Sequence, residues 1–254
     1  MLRKFSTVLV CLLALASARP ASAQSIQQWI DRGYVNFNIA FETAEGSLDD
    51  AVTFRLYDEN GSKTVNARQD SGPLFDIAGG LRVWRNVSVG LGFHRGTTTG
   101  QADATIVAPH PIFFAQDRRA TLAVDDLKRI ERAIHVQVGY MLPVNDKLDV
   151  LVLGGPSFFH LEQDVVSDIT FTEVPPAYTT INATAVIADR SDSAVGANIG
   201  ADVTYKLYDN GPTAVGIGGF IRYSGAKTEI PIIANEVETK LGGVQFGFGV
   251  RFRF

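Results

Sequence analysis

The sequence predicts an all-β chain, a transmembrane up-and-down antiparallel eight-stranded β-barrel, and three observations carry that prediction. Segments of about ten residues alternate apolar with small or polar side chains, which gives a strand one greasy face and one polar face. The joins between these segments are alternately short and long. Beyond residue 23 no run approaches the roughly 18 apolar residues a spanning helix needs, so if this chain lies in a membrane it crosses with strands.

The N-terminus is expected to be processed. Arg3 and Lys4 precede an apolar run from Phe5 to Ala16, and Ala21-Ser22-Ala23 forms an A-x-A cleavage site, the pattern of a secretory signal peptide over residues 1–23. Cys11 lies within the run behind Val10, which does not fit a lipoprotein. Cleavage leaves residues 24–254 as one barrel domain of 231 residues without cysteine, and so without a disulfide or a thiolate site. The domain has 20 basic against 27 acidic residues and no basic run, a poor composition for nucleic acid.

The strands follow in order. Gln24 to Arg32 is expected to form one short helix with Ile26, Trp29 and Ile30 against the rim. The first strand, Gly33 to Thr43, sets Val35, Phe37, Ile39 and Phe41 against Asn36, Asn38, Ala40 and Glu42. The second, Leu74 to Val83, and the third, from Val87 with Val89, Leu91 and Phe93 on one face, are separated by Trp84, Arg85 and Asn86. The fourth is Arg132 to Met141, and Pro143, Asn145 and Asp146 mark a turn. The fifth runs from Lys147 to about Leu161, where Gly154-Gly155-Pro156 predicts a bulge. Ala194 to Leu207, Thr213 to Tyr223 and Thr239 to Phe254 complete the eight.

Short joins link strands two to three, four to five and six to seven. Ala44 to Pro73, Arg95 to Glu131, Glu162 to Ser193 and Ser224 to Glu238 read as long polar loops. Short turns on one rim and long loops on the other are the pattern of a bacterial membrane barrel, with both ends of the processed chain on the short-turn, periplasmic side. Within the first loop, Val52 to Leu56 alternates ahead of Glu59-Asn60-Gly61-Ser62, a hairpin turning at those four residues. Aromatic residues mark two levels: Tyr34, Trp84, Tyr140, Tyr205 and Phe252 at the short-turn rim, and Phe41, Phe75, Phe93, Phe158 and Tyr223 toward the other. Tyr34 and Trp84 are out of phase with their strands and are assigned by height alone.

The last nine residues, Phe246 to Phe254, alternate Phe246, Phe248, Val250, Phe252 and Phe254 with Gly or Arg. This segment resembles the C-terminal signature of bacterial outer-membrane β-barrels, and the whole processed chain resembles small eight-stranded members of the OmpA, OmpX and OmpW type. The resemblance implies residence in the cell outer membrane, contact with its lipids and lipopolysaccharide, and reading of the terminal Phe254 by the barrel-assembly machinery.

The face opposite the apolar one collects Glu42, Asp76, Arg82, Asp202, Lys206, Arg222, Arg251 and Arg253, joined by Asp149. In a lumen just wide enough to be filled by side chains these form a packed ionic network or, alternatively, a charged constriction in a small pore. His94 and His135 share the inward phase on neighbouring strands, with no third metal ligand apparent. They read as satisfied lumen histidines. Apolar islands at residues 109–114, 174–178 and 230–233 either fold over the mouth or form a contact surface. No spacing recommends a nucleophile, base and acid, so neither catalytic residues nor a cofactor or bound metal is expected.

The function expected is that of a monomeric, non-enzymatic outer-membrane barrel serving structural integrity, surface interaction or small-solute passage. A lipid-modifying membrane enzyme and a soluble periplasmic barrel binding an apolar ligand are the alternatives.

Overall fold

The computed structural model describes residues 28–43 and 46–254. The expected leader at residues 1–23 lies outside the described residues. These contain ten antiparallel strands and no helix: β1 (Gly33–Thr43), β2 (Ser47–Leu56), β3 (Glu59–Arg68), β4 (Gly72–Trp84), β5 (Val87–Pro109), β6 (Asp117–Pro143), β7 (Leu148–Glu173), β8 (Ile181–Asp209), β9 (Ala214–Pro231) and β10 (Glu236–Arg253).

Eight of them close a ring. β1 pairs with β4, β4 with β5, and each later strand with the next through to β10, which pairs back onto β1 with Tyr34 opposite Arg253 and Phe41 opposite Phe246. The seam carries aromatic pairs, Phe37 with Phe252 and Phe41 with Phe246, at 6.1 and 5.8 Å between ring centres. The Gly33 amide donates to the Phe254 carbonyl at 2.8 Å, and the Phe254 amide donates back to Gly33 at 3.1 Å. The outward residues of this ring, such as Ile39, Leu91, Val138, Ile199 and Phe248, are exposed apolar side chains, the band a lipid bilayer covers.

The long polar loops are largely strand. β8 has 29 residues, roughly 95 Å at about 3.3 Å per residue, some three times a hydrocarbon core of about 30 Å. The side-chain pattern inverts along the way. In the lower part of β5, Val89 and Leu91 face out while Ser88, Gly90, Gly92 and His94 face in. Above Arg95, Thr97, Thr99, Gln101 and Asp103 face out while Ala102, Ala104, Ile106 and Ala108 are buried. Lipid outside favours a polar interior, and water outside reverses the preference. The upper wall therefore encloses an apolar core of its own, including Leu48, Val65, Ile106, Leu127, Phe159, Leu161, Val165, Ile169, Ile230 and Leu241.

β1 and β4 stop at the level of the inversion. The β2–β3 hairpin takes over their part of the wall, with β3 pairing to the upper half of β5. Its turn falls at Tyr57-Asp58, both with positive φ (52° and 63°), rather than at residues 59–62. A two-residue hairpin loop with left-handed geometry matches the twist of the flanking strands, and this moves the turn ahead of the Asn-Gly pair. Among the described residues β2 faces β10 without a backbone ladder. Asp50 spans that gap by accepting hydrogen bonds from the Ile233 amide (2.9 Å), the Ala234 amide (3.2 Å), and the Asn235 amide (3.4 Å) and side chain (2.6 Å).

Other expectations change in detail. Residues 28–32 are not helical, 28–31 having no regular structure and Arg32 forming a bend, while 24–27 lie outside the described residues. Trp29 and Asp31 are both buried, and Ile30 between them is left exposed. Tyr34 belongs to the interior, packed with Trp29, Met141 and Leu151, and a Cβ at Gly80 would lie 2.8 Å from its ring. Trp84 does reach the outer face, because a register shift between Arg82 and Trp84 turns it out. β7 runs through Gly154-Gly155-Pro156 without a shift against β8, whose irregularity is at Val166/Asp168. On the β6 side, pairing is interrupted only at Gly155 and Pro156, where proline has no N–H to give.

Candidate functional site in the barrel interior

The inward face is assembled from alternate residues of eight strands, so register decides which groups meet. At the short-turn end, Arg253 donates to Asn36 Oδ1 (2.9 Å) and to Thr204, and its guanidinium lies over the Tyr34 ring at 5.4 Å. Lys206 Nζ sits 3.5 Å from Asp149, 3.8 Å from Asp209 and 3.9 Å from Asp31. Arg82 reaches the Trp29 carbonyl.

One layer up, Arg251 forks onto Asp202 at 3.0 and 2.7 Å and donates to Asn38 Oδ1 at 2.6 Å. Room for the arm comes from Gly218, where a Cβ would meet Arg251 Nε at 3.0 Å and the Val203 carbonyl at 2.1 Å. Asn38 donates to Asp76 (2.8 Å), Asp76 accepts from Arg222 (2.6 Å), and Arg222 Nε donates to Gln245 (2.7 Å), which in turn donates to Glu42. Arg251 is fully buried and Asp76, Asp202, Arg222 and Arg253 nearly so. Around the Arg222–Asp76 and His94–Glu131 contacts the remaining cavities are about 20 Å³ each, room for one water, whereas a wider pocket of about 260 Å³ opens at the short-turn end beside Trp29, Asp31, Asp149 and Lys206.

The third layer holds the histidines. Ser157 Oγ lies 2.7 Å from His135 Nδ1, His135 Nε2 lies 2.9 Å from His94 Nδ1, and His94 Nε2 lies 3.6 Å from Glu131 Oε1. Glu131 also accepts from Arg129 (2.9 Å) and from the Gly242 amide (2.9 Å). The carboxylate that was not apparent in sequence is therefore Glu131, on the adjacent strand β6 opposite Gly96, two residues from His94, with Glu42 facing the same space.

The structure places Glu42, Asp76, Arg82, Asp202, Lys206, Arg222, Arg251 and Arg253 on the inward face, Glu42 and Arg82 being half-buried. Phe246, Phe248, Val250, Phe252 and Phe254 all lie on the outward face of β10 and are exposed. Sequence reasoning missed the neutral partners Asn36, Asn38, Gln245 and Thr204. Their inward phase was legible, but a polar amide beside a glycine carries little signal until it has a charged neighbour.

Residues 8–254 match the model of the outer membrane protein beta-barrel domain. The chain belongs to that family. As a member of the outer membrane protein beta-barrel domain family it is an outer-membrane protein, and its exposed apolar band meets the lipids of that membrane. Solved structures similar to this family member include Ail from Yersinia pestis in complex with the heparin analogue sucrose octasulfate (10% identity, TM-score 0.39, covering 88% of this chain and 99% of that one). Neisserial surface protein A (12%, 0.41, 87% and 97%) and OprG from Pseudomonas aeruginosa (9%, 0.43, 88% and 96%) are two more. No curated protein matches the chain.

Proposed function

We propose that this protein is a closed, monomeric, non-enzymatic barrel that acts through the surface of its long-strand extension, held outside the cell, with the short turns facing the periplasm. The observation that carries this reading is the filled interior: the Arg251–Asp202 and Arg222–Asp76 layers leave only water-sized gaps, and an apolar core lies above them. A solute path would have to cross both. Ser157 and His135 have the spacing of a nucleophile and base, but Ser157 is fully buried and its Oγ already accepts from Asn198 at 2.8 Å, out of reach of any substrate.

The far end offers a surface instead. Three hairpin tips are tied together there. Arg118 donates to Glu173 (2.8 Å) and to the Tyr178 carbonyl (3.3 Å), and Tyr57 donates to Glu173 (3.1 Å). Ile112, Phe113 and Phe114 stand exposed beside this anchor. A rigid base with projecting apolar side chains suits contact with another surface, protein or lipopolysaccharide. Of the three apolar islands, the second, with Pro175, Pro176 and Ala177, is exposed too, whereas Ile230 and Ile232 of the third are buried in the upper core.

In planar bilayers at 1 M salt the purified protein is expected to give no discrete current steps. Regular ohmic steps would overturn the closed-barrel reading in favour of solute passage. Deleting Phe254 is expected to lower outer-membrane yield several-fold, since it removes the terminal contact with Gly33 and the last residue of the Phe246 to Phe254 signal for the assembly machinery. Quantitative blotting of membrane fractions measures it, and unchanged yield would argue against that signal.

A further inference from the structure

We propose that Glu42, His94 and Glu131 form a binding site for a divalent transition-metal ion, with Zn²⁺ as the ion of first choice. One donor atom from each residue lies within 4.8 Å of the others, and the residues come from three strands of the wall, the adjacent β5 and β6 and, beyond β4, β1. A tetrahedral ion with bonds of about 2.0–2.2 Å holds its ligand atoms ~3.4 Å apart. His94 Nε2 and Glu131 Oε1, at 3.6 Å, are already at that spacing.

His94 itself points to a ligand. The residue is 1% exposed, and its Nε2 makes no hydrogen bond, its nearest carboxylate oxygen, Glu131 Oε1, standing off at 3.6 Å. A buried ring nitrogen without a partner is costly, and a cation placed among Nε2, Glu42 and Glu131 satisfies all three at once. The other ring nitrogen is held by a second imidazole, which fixes the ring's orientation: Nδ1 meets His135 Nε2 at 2.9 Å, and His135 is fixed in turn by Ser157 at 2.7 Å. Glu131 is oriented by Arg129 and the Gly242 amide, and Glu42 by Gln245.

Charge and access agree with this assignment. The two carboxylates outweigh the single guanidinium of Arg129 that lines the same cavity, leaving net negative charge for a cation. The cavity has room for about one water and is also lined by Asp70, Gly72 and Thr98, at the joint where β3 gives way to β4. Asp70 is exposed at its mouth, so an aquo-ion has an acidic route from outside that avoids the apolar core. A mixed set of one imidazole and two carboxylates suits Zn²⁺ better than Ca²⁺, which takes six to eight oxygens. An ion here pins three strands together at the level where the polar lumen meets the apolar core.

The test uses the full-length protein in detergent, stripped with chelator and dialysed against Zn²⁺. We expect about one Zn²⁺ per chain, a rise in unfolding temperature on loading, and, with Co²⁺ in place of Zn²⁺, a visible absorption band from nitrogen and oxygen ligation. Glu42→Gln and His94→Gln are expected to weaken binding by at least about 100-fold, and His135→Gln, which removes only the support of His94, by about 10–100-fold. His160→Ala, at an exposed histidine, should bind as the wild type does. Wild-type protein that takes up neither Zn²⁺ nor Co²⁺ overturns the assignment without reference to any variant. Uptake that persists in folded, heat-modifiable Glu42→Gln and His94→Gln, or Ca²⁺ uptake equal to that of Zn²⁺, also overturns it.

Discussion

Arg251→Leu is expected to destabilise the barrel by about 3–5 kcal/mol, the usual cost of stripping one partner from a buried ion pair. Asp202 is 3% exposed and loses both forked hydrogen bonds, retaining the Thr204 hydroxyl at 3.2 Å and Arg253 at 4.0 Å. Asn38, which also accepts from Arg251, links the loss to Asp76 and Arg222. Urea unfolding in lipid vesicles, followed by tryptophan fluorescence, measures the effect. Trp29 and Trp84 both lie at the short-turn end and report on the same layer. The double variant Arg251→Leu with Asp202→Leu should recover much of the loss, because an apolar pair leaves no charge unmatched. A single variant as stable as wild type would mean the lumen layer contributes little to stability.

Asp50→Ala is expected to loosen the upper wall while leaving the membrane-embedded ring intact. It removes the acceptor for three amides and the Asn235 side chain, at a local cost of about 1–3 kcal/mol. Hydrogen exchange across β2 and β3 should then speed up by roughly 10–100-fold, while β1 and β4 remain protected. Burial alone would raise the Asp50 carboxyl, but the Asn235 side chain and the Ala234, Ile233 and Asn235 amides outweigh it and hold it below the ordinary carboxylate range. A depressed carboxylate stabilises above its unfolded value, about 3.9 for aspartate, and the contribution fades as pH falls through the folded value. Acid should therefore mimic the substitution in wild type and have no further effect at this point in Asp50→Ala. Equal exchange in the two proteins would show that β2 is held by packing alone.

The membrane ring was legible because each of its strands sets large apolar residues against small or polar ones, as in Phe37, Ile39 and Phe41 against Asn38 and Ala40. The upper wall was hidden by the same rule applied in one phase. Its buried face is written in Ala102, Ala104, Ile106 and Ala108 opposite Thr97 to Asp103, an alternation with little hydropathy contrast and reversed sense, so the segment reads as a polar loop. The charged residues of the lumen could be chosen by phase, since β1 and β10 keep strict alternation to their ends. Glu131 could not. It falls at the last position of the segment Arg95 to Glu131 that reads as a polar loop, and its meeting with His94 and Glu42 depends on the register across β1, β4, β5 and β6, which no local pattern fixes.

The exchange of β1 and β4 for β2 and β3 also decides how load travels. Six strands, β5 to β10, run unbroken from the bilayer into the upper wall, so a pull on the hairpin tips reaches the membrane along covalent backbone. On the remaining two staves β1 ends at Thr43 and β4 begins only at Gly72, so tension from β2 and β3 must turn sideways into side chains such as Asp50 and Gln69, the latter bonded to Thr239 at 2.5 Å. Under traction the molecule has a stiff side and a yielding side, and the joint by which Asp70 leads to the lumen lies on the yielding one.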